Sequence, residues 1–572
     1  MENIFKGIGV PGGGKTSWEA RQVNSAQDAY GKEATILVSS FTKAGAREIA
    51  GRLVDMPEQN IGTLHSFCYR LLGSDINLTE GEESSFNDRF PDLYVSIGKK
   101  RRKKKDKVRL DDTETVEAVT PAYNDDPFDM PEQLEGDRLR NKMNVFRAKM
   151  IPREQWPDDL NLFARSWEQW KKDEDLLDFT DLLEQALENC PIAPGDAEAL
   201  FLDEAQDCSK LQMAIVAQWG QHMRRLVLAG DDDQAIFNFA GSDASAFMDF
   251  PCLPQNRRYL KQSYRVPRAV HAIAERWIKK LSRRDEKVFL PRDYDGEVLS
   301  GENYRYPRFN IDLAERYIEK GKTVMFVASC GYMLNVVISQ LKERGLPFSN
   351  PWKKENAGWN PLLKGEGKKL MPVDRLLRFL KRDFATWPME KSEELPRYWT
   401  RGDLNAWGSI LEAKGNLIRG GKQWLETLKG NPVKSTYFEI DTHFTGEAAR
   451  AIHEFNFESR EHALKAITWW REHMLALESR KYDYPIKVFE TCGGSALREN
   501  PKIIVGTGHS LKGSEADVVF VFPDLSRSGR GEWNDVDRDS VKRLFYVMMT
   551  RARESLIICR PANTHSAVNL AG

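Results

Sequence analysis

A glycine-rich segment near the start of the sequence constrains the fold more than any other feature. It follows the short apolar run 4–8 and reads Gly9-Val10-Pro11-Gly12-Gly13-Gly14-Lys15-Thr16. The pattern G-x-x-x-x-G-K-S/T is typical of a phosphate-binding loop, in which glycines let successive backbone N–H groups point at the β-phosphate. Lys15 then reaches the β- and γ-phosphate oxygens, and Thr16 ligates Mg²⁺. The sequence therefore predicts a nucleoside triphosphate site after a strand and before a helix; the alternative is a glycine-rich surface turn.

Length and composition indicate a globular chain with several domains. A chain of 572 residues is too long for one hydrophobic core, so we expect two to four domains. The sequence is 41% hydrophobic and 30% charged, with no apolar run of about 18 residues and no charged-then-apolar leader. We therefore expect no membrane span, no secretory signal and a cytoplasmic location.

The cysteines and the distribution of charge limit the kinds of site that we expect in this chain. The seven cysteines are scattered and never spaced C-x-x-C, which argues against a zinc site, an iron–sulfur cluster or a disulfide framework. The net charge of −1 does not mark the whole molecule as a polyanion binder. Seven consecutive cations at 99–105 precede an acidic stretch at 111–135. This basic run is either a solvated insertion or a nucleic-acid contact.

A phosphate-binding loop needs an acidic strand end that holds Mg²⁺ and polarises the attacking water. The apolar segment 199–202 predicts a buried strand, and Asp203 and Glu204 follow it, where ligands collect in open α/β sheets. We assign Asp203 to the metal and Glu204 to the water. A further strand at 225–229 ends in an acidic run containing Gln234, a residue type suited to sensing a γ-phosphate. Taken alone, that run would be a turn.

Eight further sequence blocks follow the phosphate-binding loop in order. They lie at residues 40–48, 62–67, 178–183, 203–207, 230–239, 263–265, 507–515 and 546–553. The most distinctive read Asp203-Glu204-Ala205-Gln206-Asp207, Thr507-Gly508-His509-Ser510-Leu511-Lys512-Gly513-Ser514-Glu515 and Tyr546-Val547-Met548-Met549-Thr550-Arg551-Ala552-Arg553. This ordered set resembles the UvrD/Rep family of superfamily 1 helicases along the whole chain.

The resemblance implies an α/β fold with two RecA-like P-loop NTPase cores that sandwich ATP. Each core is expected to have a parallel sheet flanked by helices and to carry a mainly helical insertion. The expected ranges are 1–70 and 190–255 for the first core, 71–189 for its insertion, 256–348 and 495–572 for the second core, and 349–494 for the second insertion.

The second insertion holds eight of the fifteen tryptophans, at positions 352, 359, 387, 399, 407, 424, 469 and 470. This density indicates either a duplex-contacting surface or a packed helical core. Stretches such as 373–380 have the periodicity of an amphipathic helix, which favours the packed core.

The resemblance also assigns roles at the nucleotide. It implies that Arg265 and Arg551 neutralise charge developing on the γ-phosphoryl group, that Tyr264 stacks on adenine, and that Glu515 contacts the nucleotide. The expected ATP-binding residues are Gly9, Gly12, Gly13, Gly14, Lys15, Thr16, Tyr264, Arg265, Gly513, Glu515 and Arg551, and the expected Mg²⁺ ligands are Thr16 and Asp203. The expected catalytic residues are Lys15, Glu204, Gln234, Arg265 and Arg551.

The resemblance also implies a binding track for single-stranded DNA. By resemblance, Phe41, His65 and Phe239 line it, while Thr42 and Thr63 contact the backbone; aromatic rings serve as stacking platforms for bases. Phe239 replaces the tryptophan usual in the family, so weaker stacking is expected there. No device for reading base edges is evident, so sequence specificity is not predicted.

Three departures from the family are apparent in the sequence. The glutamine segment that reads adenine has no counterpart ahead of Gly9, so we expect relaxed base selectivity. Family landmarks within the second insertion are not recognisable. Because the sequence ends soon after Arg553, we expect no tail for partner proteins, and no nuclease carboxylate cluster is visible.

The function expected from these features is an ATP-dependent DNA helicase acting on single-stranded DNA and on single-strand–duplex junctions. Its 3′ to 5′ polarity is implied by the family alone. One alternative is a single-strand translocase that strips proteins and unwinds poorly. Another is a DNA-binding protein that uses ATP only as a switch, against which the complete catalytic set argues.

Overall fold

A computed structural model describes residues 2–98, 134–353, 356–365, 369–380 and 399–570, apart from positions 32, 42–44, 47–48, 50, 53–55, 74–75, 456 and 458. Thr42, Trp387 and the basic run 99–105 lie outside the described residues. The described chain forms two six-stranded sheets in which every paired strand is parallel. The expected α/β class with two parallel-sheet cores is confirmed.

The first sheet has the strand order β3-β2-β4-β5-β1-β6. Its strands are β1 (Ile4–Gly9), β2 (Ile36–Ser40), β3 (Ile61–Gly62), β4 (Ala199–Asp203), β5 (Arg225–Gly230) and β6 (Arg257–Leu260). The central strands β4 and β5 are almost wholly buried, because helices cover both faces of a parallel sheet. The carboxyl ends of β1, β4 and β5 meet at one edge, which brings the phosphate-binding loop to the two acidic segments.

Strand β6 corrects the predicted boundary between the cores. The sequence placed residues from 256 onward in the second core, but Lys6 to Gly9 of β1 pair with β6 in the first sheet. The sequence analysis missed this edge strand because its sequence, Arg-Arg-Tyr-Leu, is not an apolar run. In the structure its residues are exposed or partly exposed. After β6 the chain crosses to the second core through residues 261–265.

The second sheet has the strand order β7-β12-β11-β8-β10-β9. Its strands are β7 (Glu297–Gly301), β8 (Val324–Ala328), β9 (Phe348–Ser349), β10 (Ile503–Thr507), β11 (Ala516–Val521) and β12 (Ala552–Cys559). The apolar segments 323–327, 518–522 and 556–558 predict three further strands from the sequence, and these correspond to β8, β11 and β12. Strand β8 is buried throughout, as is expected for a strand at the centre of a covered sheet.

Helices surround both sheets and build both insertions. In the first core and its insertion they span Lys15–Tyr30, Leu64–Leu72, Glu83–Arg89, Glu135–Ala148, Asp158–Asp173, Phe179–Asn189, Lys210–Gly220 and Ala244–Met248. In the second core and its insertion they span Arg268–Ile278, Arg308–Glu319, Asn335–Arg344, Pro372–Phe379, Arg401–Gly408, Ala413–Asn416, Gly421–Thr427, Tyr437–His443, Gly446–Glu454, Arg460–Glu472, Ala476–Ser479, Asp483–Cys492, Arg527–Gly531 and Arg538–Met549. Within the described ranges, no helix is long and apolar enough to cross a membrane.

The second insertion packs its aromatic residues inward. Trp399, Trp407 and Trp470 are buried, and the ring of Phe379 stacks on Trp470 with centroids 4.5 Å apart. These rings belong to one continuous apolar cluster. The arrangement supports the packed-core interpretation of the tryptophan-rich segment over the duplex-contacting one.

Candidate ATPase and DNA-binding site

The phosphate-binding loop makes a tight turn from β1 into the helix Lys15–Tyr30. Gly12 and Gly14 have φ of 68° and 72°, the left-handed region in which a side chain is strained. At Gly9 an added β-carbon would lie 2.4 Å from Cγ of Lys15, so glycine there lets the lysine fold back over the strand end. The helix amino terminus directs N–H groups and a positive dipole end toward an anion. The loop therefore has the geometry of a phosphate cradle.

Thr16 and Asp203 meet beside this loop. The Thr16 hydroxyl donates to Oδ2 of Asp203 across 3.5 Å, at the carboxyl edge of the first sheet. Hydroxyl and carboxylate oxygens are the hard donors that Mg²⁺ prefers, together with phosphate oxygens and water. The two side chains therefore fit the magnesium ion predicted from the sequence.

Glu204 has an unusual backbone conformation. Its φ is 53°, in the left-handed region, and such strain costs roughly 1–3 kcal/mol. Its carboxylate accepts a hydrogen bond from Gln206 and lies 3.7 Å from Nζ of Lys512. Burial acts to raise the pKa of Glu204, but the cations Lys512 and Lys15 outweigh burial and lower this pKa. The structure thus keeps Glu204 ionised, as a group that polarises water must be.

Arg551 connects the second core to Gln234, the residue of the first core that the sequence suggests as a γ-phosphate sensor. Its Nη2 donates to Oε1 of Gln234 at 2.7 Å, and Nε2 of that glutamine donates to Asp231 at 2.5 Å. Arg551 is 2% exposed. Burial, with repulsion from Arg265, lowers the pKa of Arg551 to about 9. A buried cation that is compensated so weakly favours the arrival of an anion such as the γ-phosphate.

Arg265 and Tyr264 lie directly against the phosphate-binding loop. A β-carbon at Gly12 would be 2.5 Å from Cβ of Arg265, and the Tyr264 amide donates to the Gly12 carbonyl at 2.9 Å. The Tyr264 ring is 73% exposed and offers a face for a base. Nε of Arg265 donates to Glu515 at 2.6 Å. Gly513, two residues before Glu515, has a φ of 87°, which favours glycine there.

Lys512 is a site residue to which the sequence analysis gave no role. It pairs with Asp207 and donates to the Gln234 carbonyl at 2.7 Å, in addition to its approach to Glu204. Both partner segments belong to the first core, so this lysine joins the cores at the site. Its place in the 507–515 block was the signal that could have identified it.

Glu19 is the second residue that the sequence analysis missed. It is fully buried, and neither carboxylate oxygen has a hydrogen-bond partner among the described residues. Burial, followed by repulsion from Asp203 and Glu204, raises the pKa of Glu19 well above its ordinary value. Glu19 shares its helix face with the buried residues Val23 and Ala26. An acidic residue in an otherwise apolar helical stripe was the available signal.

Replacing Glu19 with leucine is expected to stabilise the nucleotide-free protein, increasingly so as pH rises. A carboxyl whose folded pKa is raised takes up a proton on folding, so its contribution to stability falls as pH rises above its ordinary value of 4.5. The increase in the free energy of unfolding of Glu19→Leu over the parent should be small near pH 4 and reach about 1–3 kcal/mol near pH 8. Urea denaturation of both proteins at these two pH values measures it. An equal difference in stability at the two pH values would contradict a raised pKa of Glu19.

Most of the predicted DNA-contacting residues lie in packed surroundings. Phe41 is 7% exposed, and its ring lies 5.0 Å from that of Phe237. His65 is 4% exposed and meets Phe179 edge-on at 6.3 Å. Burial lowers the pKa of His65 to about 4, so its imidazole is uncharged at neutral pH. In this conformation, neither ring offers an open stacking face.

Thr63 and Phe239 differ in what they can offer DNA. Thr63 caps the helix Leu64–Leu72, because its hydroxyl accepts from the Ser66 amide at 3.3 Å. Phe239 is partly exposed and lies edge-on to His509, with ring centroids 5.2 Å apart. The structure thus adds His509 of the second core to the neighbourhood of the predicted track.

The acidic run after β5 is neutralised by protein cations. Carboxylate oxygens of Asp231, Asp232 and Asp233 lie within 4.8 Å of one another. Nζ of Lys287 is 2.5 Å from the first two and 3.1 Å from the third, and Arg284 pairs with Asp233 at 2.6 Å. These contacts form an ion-pair cluster that fastens the segment 283–287 to the first core.

Two family models match the chain in the regions that build this site. A model of the UvrD/REP helicase N-terminal domain matches residues 8–252, and a model of the UvrD-like helicase C-terminal domain matches residues 502–559. The first range contains the phosphate-binding loop and both acidic segments. The second contains Lys512 and Arg551, and the two ranges together cover more than half of the chain.

Curated relatives agree with these matches. A probable DNA helicase II homolog of Mycoplasma pneumoniae is 25% identical over 592 aligned positions, which cover 91% of this chain and 77% of the relative. The ATP-dependent DNA helicase PcrA of Bacillus subtilis is 24% identical over 302 residues, or 50% of this chain and 38% of that protein. PcrA of Staphylococcus epidermidis is 24% identical over 46% of this chain and 36% of its own length. The aligned part thus spans well under half of the PcrA proteins. The chain belongs to the UvrD/Rep family of superfamily 1 DNA helicases.

Proposed function

We propose that this protein is an ATP-dependent helicase that moves along single-stranded DNA from 3′ to 5′ and unwinds duplex DNA at single-strand–duplex junctions. The observation that carries the proposal is the hydrogen bond from Arg551 to Gln234. It joins a cation of the second core to the residue of the first core that we assign to sensing the γ-phosphate. Such a contact can report the state of the nucleotide from one core to the other.

Hydrolysis requires a fixed triphosphate and an oriented water. The loop glycines and Lys15 bind the phosphates, and Thr16 and Asp203 would hold Mg²⁺, which would supply positive charge to the phosphate oxygens. Glu204 accepts a hydrogen bond from the attacking water and aligns it. Lys512 and Lys15 favour its ionised form, because they lower the pKa of the Glu204 carboxyl.

Charge that develops on the transferred group is stabilised from the second core. Arg551 is buried beside Gln234, and Arg265 abuts the phosphate-binding loop, so both arginines lie close to the expected position of the phosphates. Arg265 donates a hydrogen bond to Glu515. Triphosphate binding then draws both arginines inward, and phosphate release lets the cores separate. Alternating closure and opening gives net motion when each core grips the strand in turn.

DNA-stimulated ATP hydrolysis tests the proposal most directly. Single-stranded DNA should raise turnover strongly, whereas blunt duplex DNA should raise it little. Strand displacement should require a 3′ single-stranded tail, and a matched 5′-tailed duplex is the control. Hydrolysis without strand displacement would assign the protein to single-strand translocation alone. ATP binding without DNA-stimulated hydrolysis would overturn the proposal.

Replacing Phe239 with alanine is expected to weaken single-strand binding by about 1–3 kcal/mol, because a stacking ring is lost while phosphate contacts remain. The dependence of log affinity on log salt should therefore stay unchanged. Fluorescence anisotropy with an oligothymidylate at several salt concentrations measures both quantities. Phe239→Trp is the matched control and should retain or increase affinity. A reduced salt slope with parental low-salt affinity would remove Phe239 from the track.

A further inference from the structure

Glu19 is a buried carboxylate to which neither the sequence blocks nor the mechanism above gives a role. Its side chain is inaccessible to solvent, and its two oxygens have no hydrogen-bond partner among the described residues. Burying an ionisable group without a partner destabilises a folded protein, so such groups are rare unless something else satisfies them. The position of Glu19 in the fold indicates what that is.

The helix Lys15–Tyr30 places Glu19 directly behind the phosphate-binding loop. Glu19 lies four residues after Lys15 and three after Thr16, so it shares their side of the helix. It is about 4.5 Å beyond Thr16 along the helix axis. Side chains on a helix tilt toward the amino terminus, so the Glu19 carboxylate is directed back toward the expected magnesium ligand Thr16.

The face of the first sheet beneath this helix ends in polar side chains. The helix Lys15–Tyr30 packs on alternate residues of β2 and β4, including Val38 and Phe201. Side chains alternate along a strand, so the residues two positions further, Ser40 and Asp203, face the helix as well. Ser40 and Asp203 are also opposite each other in the register of β2 and β4.

The polar end of this face contains a second side chain that lacks a partner. Ser40 is 1% exposed, and its hydroxyl has no hydrogen-bond partner within the described ranges. After burial, repulsion from Asp203 and Glu204 is what raises the pKa of Glu19, so these three carboxylates lie within electrostatic range of one another. Buried polar groups of this kind are usually satisfied by bound water.

The three carboxylates are spaced too widely to bind one ion directly. In the part of the chain that the structure describes, the acidic run 231–233 is the one group of three whose ligand oxygens all lie within 4.8 Å of one another. Glu19, Asp203 and Glu204 do not form such a group. Mg²⁺ binds few protein oxygens and keeps several waters. A carboxylate near such a site can accept hydrogen bonds from those waters, and outer contacts of this kind orient the ligands.

We propose that Glu19 is a positioning residue for Mg²⁺, which accepts hydrogen bonds from water molecules on the ion that Thr16 and Asp203 would hold. A hydrated cation supplies the two things that Glu19 lacks, hydrogen-bond donors and positive charge. The inference rests on the proposed function, because it adds a residue to the nucleotide site assumed there. It predicts that Glu19 affects the affinity for Mg²⁺ and not the contacts between the loop and the phosphates.

The test measures Mg²⁺ binding without hydrolysis. A fluorescent ATP analogue that cannot be hydrolysed is titrated with the parent and with Glu19→Gln, first in EDTA and then at graded Mg²⁺ concentrations. In EDTA, Glu19→Gln should bind the analogue at least as tightly as the parent, since a carboxylate near the phosphates is removed. The Mg²⁺ concentration that gives half of the metal-dependent change in affinity should be about 10- to 100-fold higher in Glu19→Gln.

Two further variants serve as controls. Asp28→Asn removes a carboxylate from an exposed position of the same helix and should match the parent in EDTA and in Mg²⁺. Asp203→Asn removes an expected magnesium ligand and should raise the half-saturating Mg²⁺ concentration at least as much as Glu19→Gln does. Circular dichroism melting of each variant verifies that the first core is folded.

The outcomes separate this inference from the proposed function. A parental Mg²⁺ requirement in Glu19→Gln would overturn the inference, and so would a loss of analogue affinity that is already present in EDTA. An analogue affinity that does not depend on Mg²⁺ in the parent would overturn the inference together with the assigned metal ligands. Hydrolysis in the parent that single-stranded DNA does not stimulate would overturn the proposed helicase function, whereas the Mg²⁺ titration would still support or refute the role of Glu19.

Discussion

Replacing Arg551 with alanine should lower ATP turnover by about 10³- to 10⁵-fold while ATP affinity changes by about tenfold or less. The reason is geometric: the guanidinium is buried and fixed by Gln234 at 2.7 Å and by the Val547 carbonyl at 2.9 Å. We expect an arginine held at this position to act on charge that appears only in the transition state. Turnover is measured with saturating single-stranded DNA, and affinity is measured by titrating a fluorescent ATP analogue.

Two variants sharpen that measurement. Arg551→Lys keeps one positive charge but cannot make the same set of hydrogen bonds, so it should recover little turnover. Arg344→Ala removes a second-core arginine that pairs with Asp312 and Glu315, away from the nucleotide, and should hydrolyse ATP as the parent does. Parental turnover in Arg551→Ala would remove this residue from the catalytic set.

Replacing Glu204 with glutamine should lower turnover by about 10²-fold or more and leave ATP bound, because the amide no longer accepts a proton from the attacking water. The lowered pKa of Glu204 in the parent means that the loss should be the same across neutral and mildly alkaline pH. Rapid mixing with quantification of released phosphate separates the chemical step from product release. Near-parental phosphate release would refute the assigned role.

Lys15→Ala provides the comparison for Glu204→Gln. This substitution removes the cation that is expected to reach the phosphates from the loop, so both hydrolysis and ATP affinity should fall. The lysine also contributes to lowering the pKa of Glu204, which couples the two residues. A double variant should therefore be no slower than the more damaged single variant.

The elements of the candidate nucleotide site could be predicted because their chemistry leaves a local signature in the sequence. A glycine-rich turn after an apolar strand, and carboxylates at the end of buried strands, place Lys15, Thr16 and Asp203 without knowledge of tertiary contacts. Parallel buried strands read as continuous apolar runs, so β4, β5, β8 and β11 were recognised with ends shifted by a residue or two. Edge strand β6 has no such run and was assigned to the wrong core.

What could not be predicted depends on long-range packing. The sequence block containing Phe41 gives its residue type, but the contact with Phe237 that buries the ring arises between distant segments. Lys512 acquires its role only when the second core brings it to Glu204 and Asp207. Glu19 became visible through burial, since a helix pattern alone does not reveal that a carboxylate has no partner.

The covalent path between the cores has a mechanical consequence. The chain leaves β6 and passes directly beside the phosphate-binding loop, where the Ser263 hydroxyl donates to the Pro11 carbonyl at 2.7 Å and the Tyr264 amide donates to Gly12. If the second core rotated about this crossing point, the lever arm to the nucleotide would be very short. The lever arm to the far strands of the second sheet would be long. If the cores rotate about that point, small adjustments around a phosphate would be magnified with distance, and the outermost surface of the second core would travel farthest.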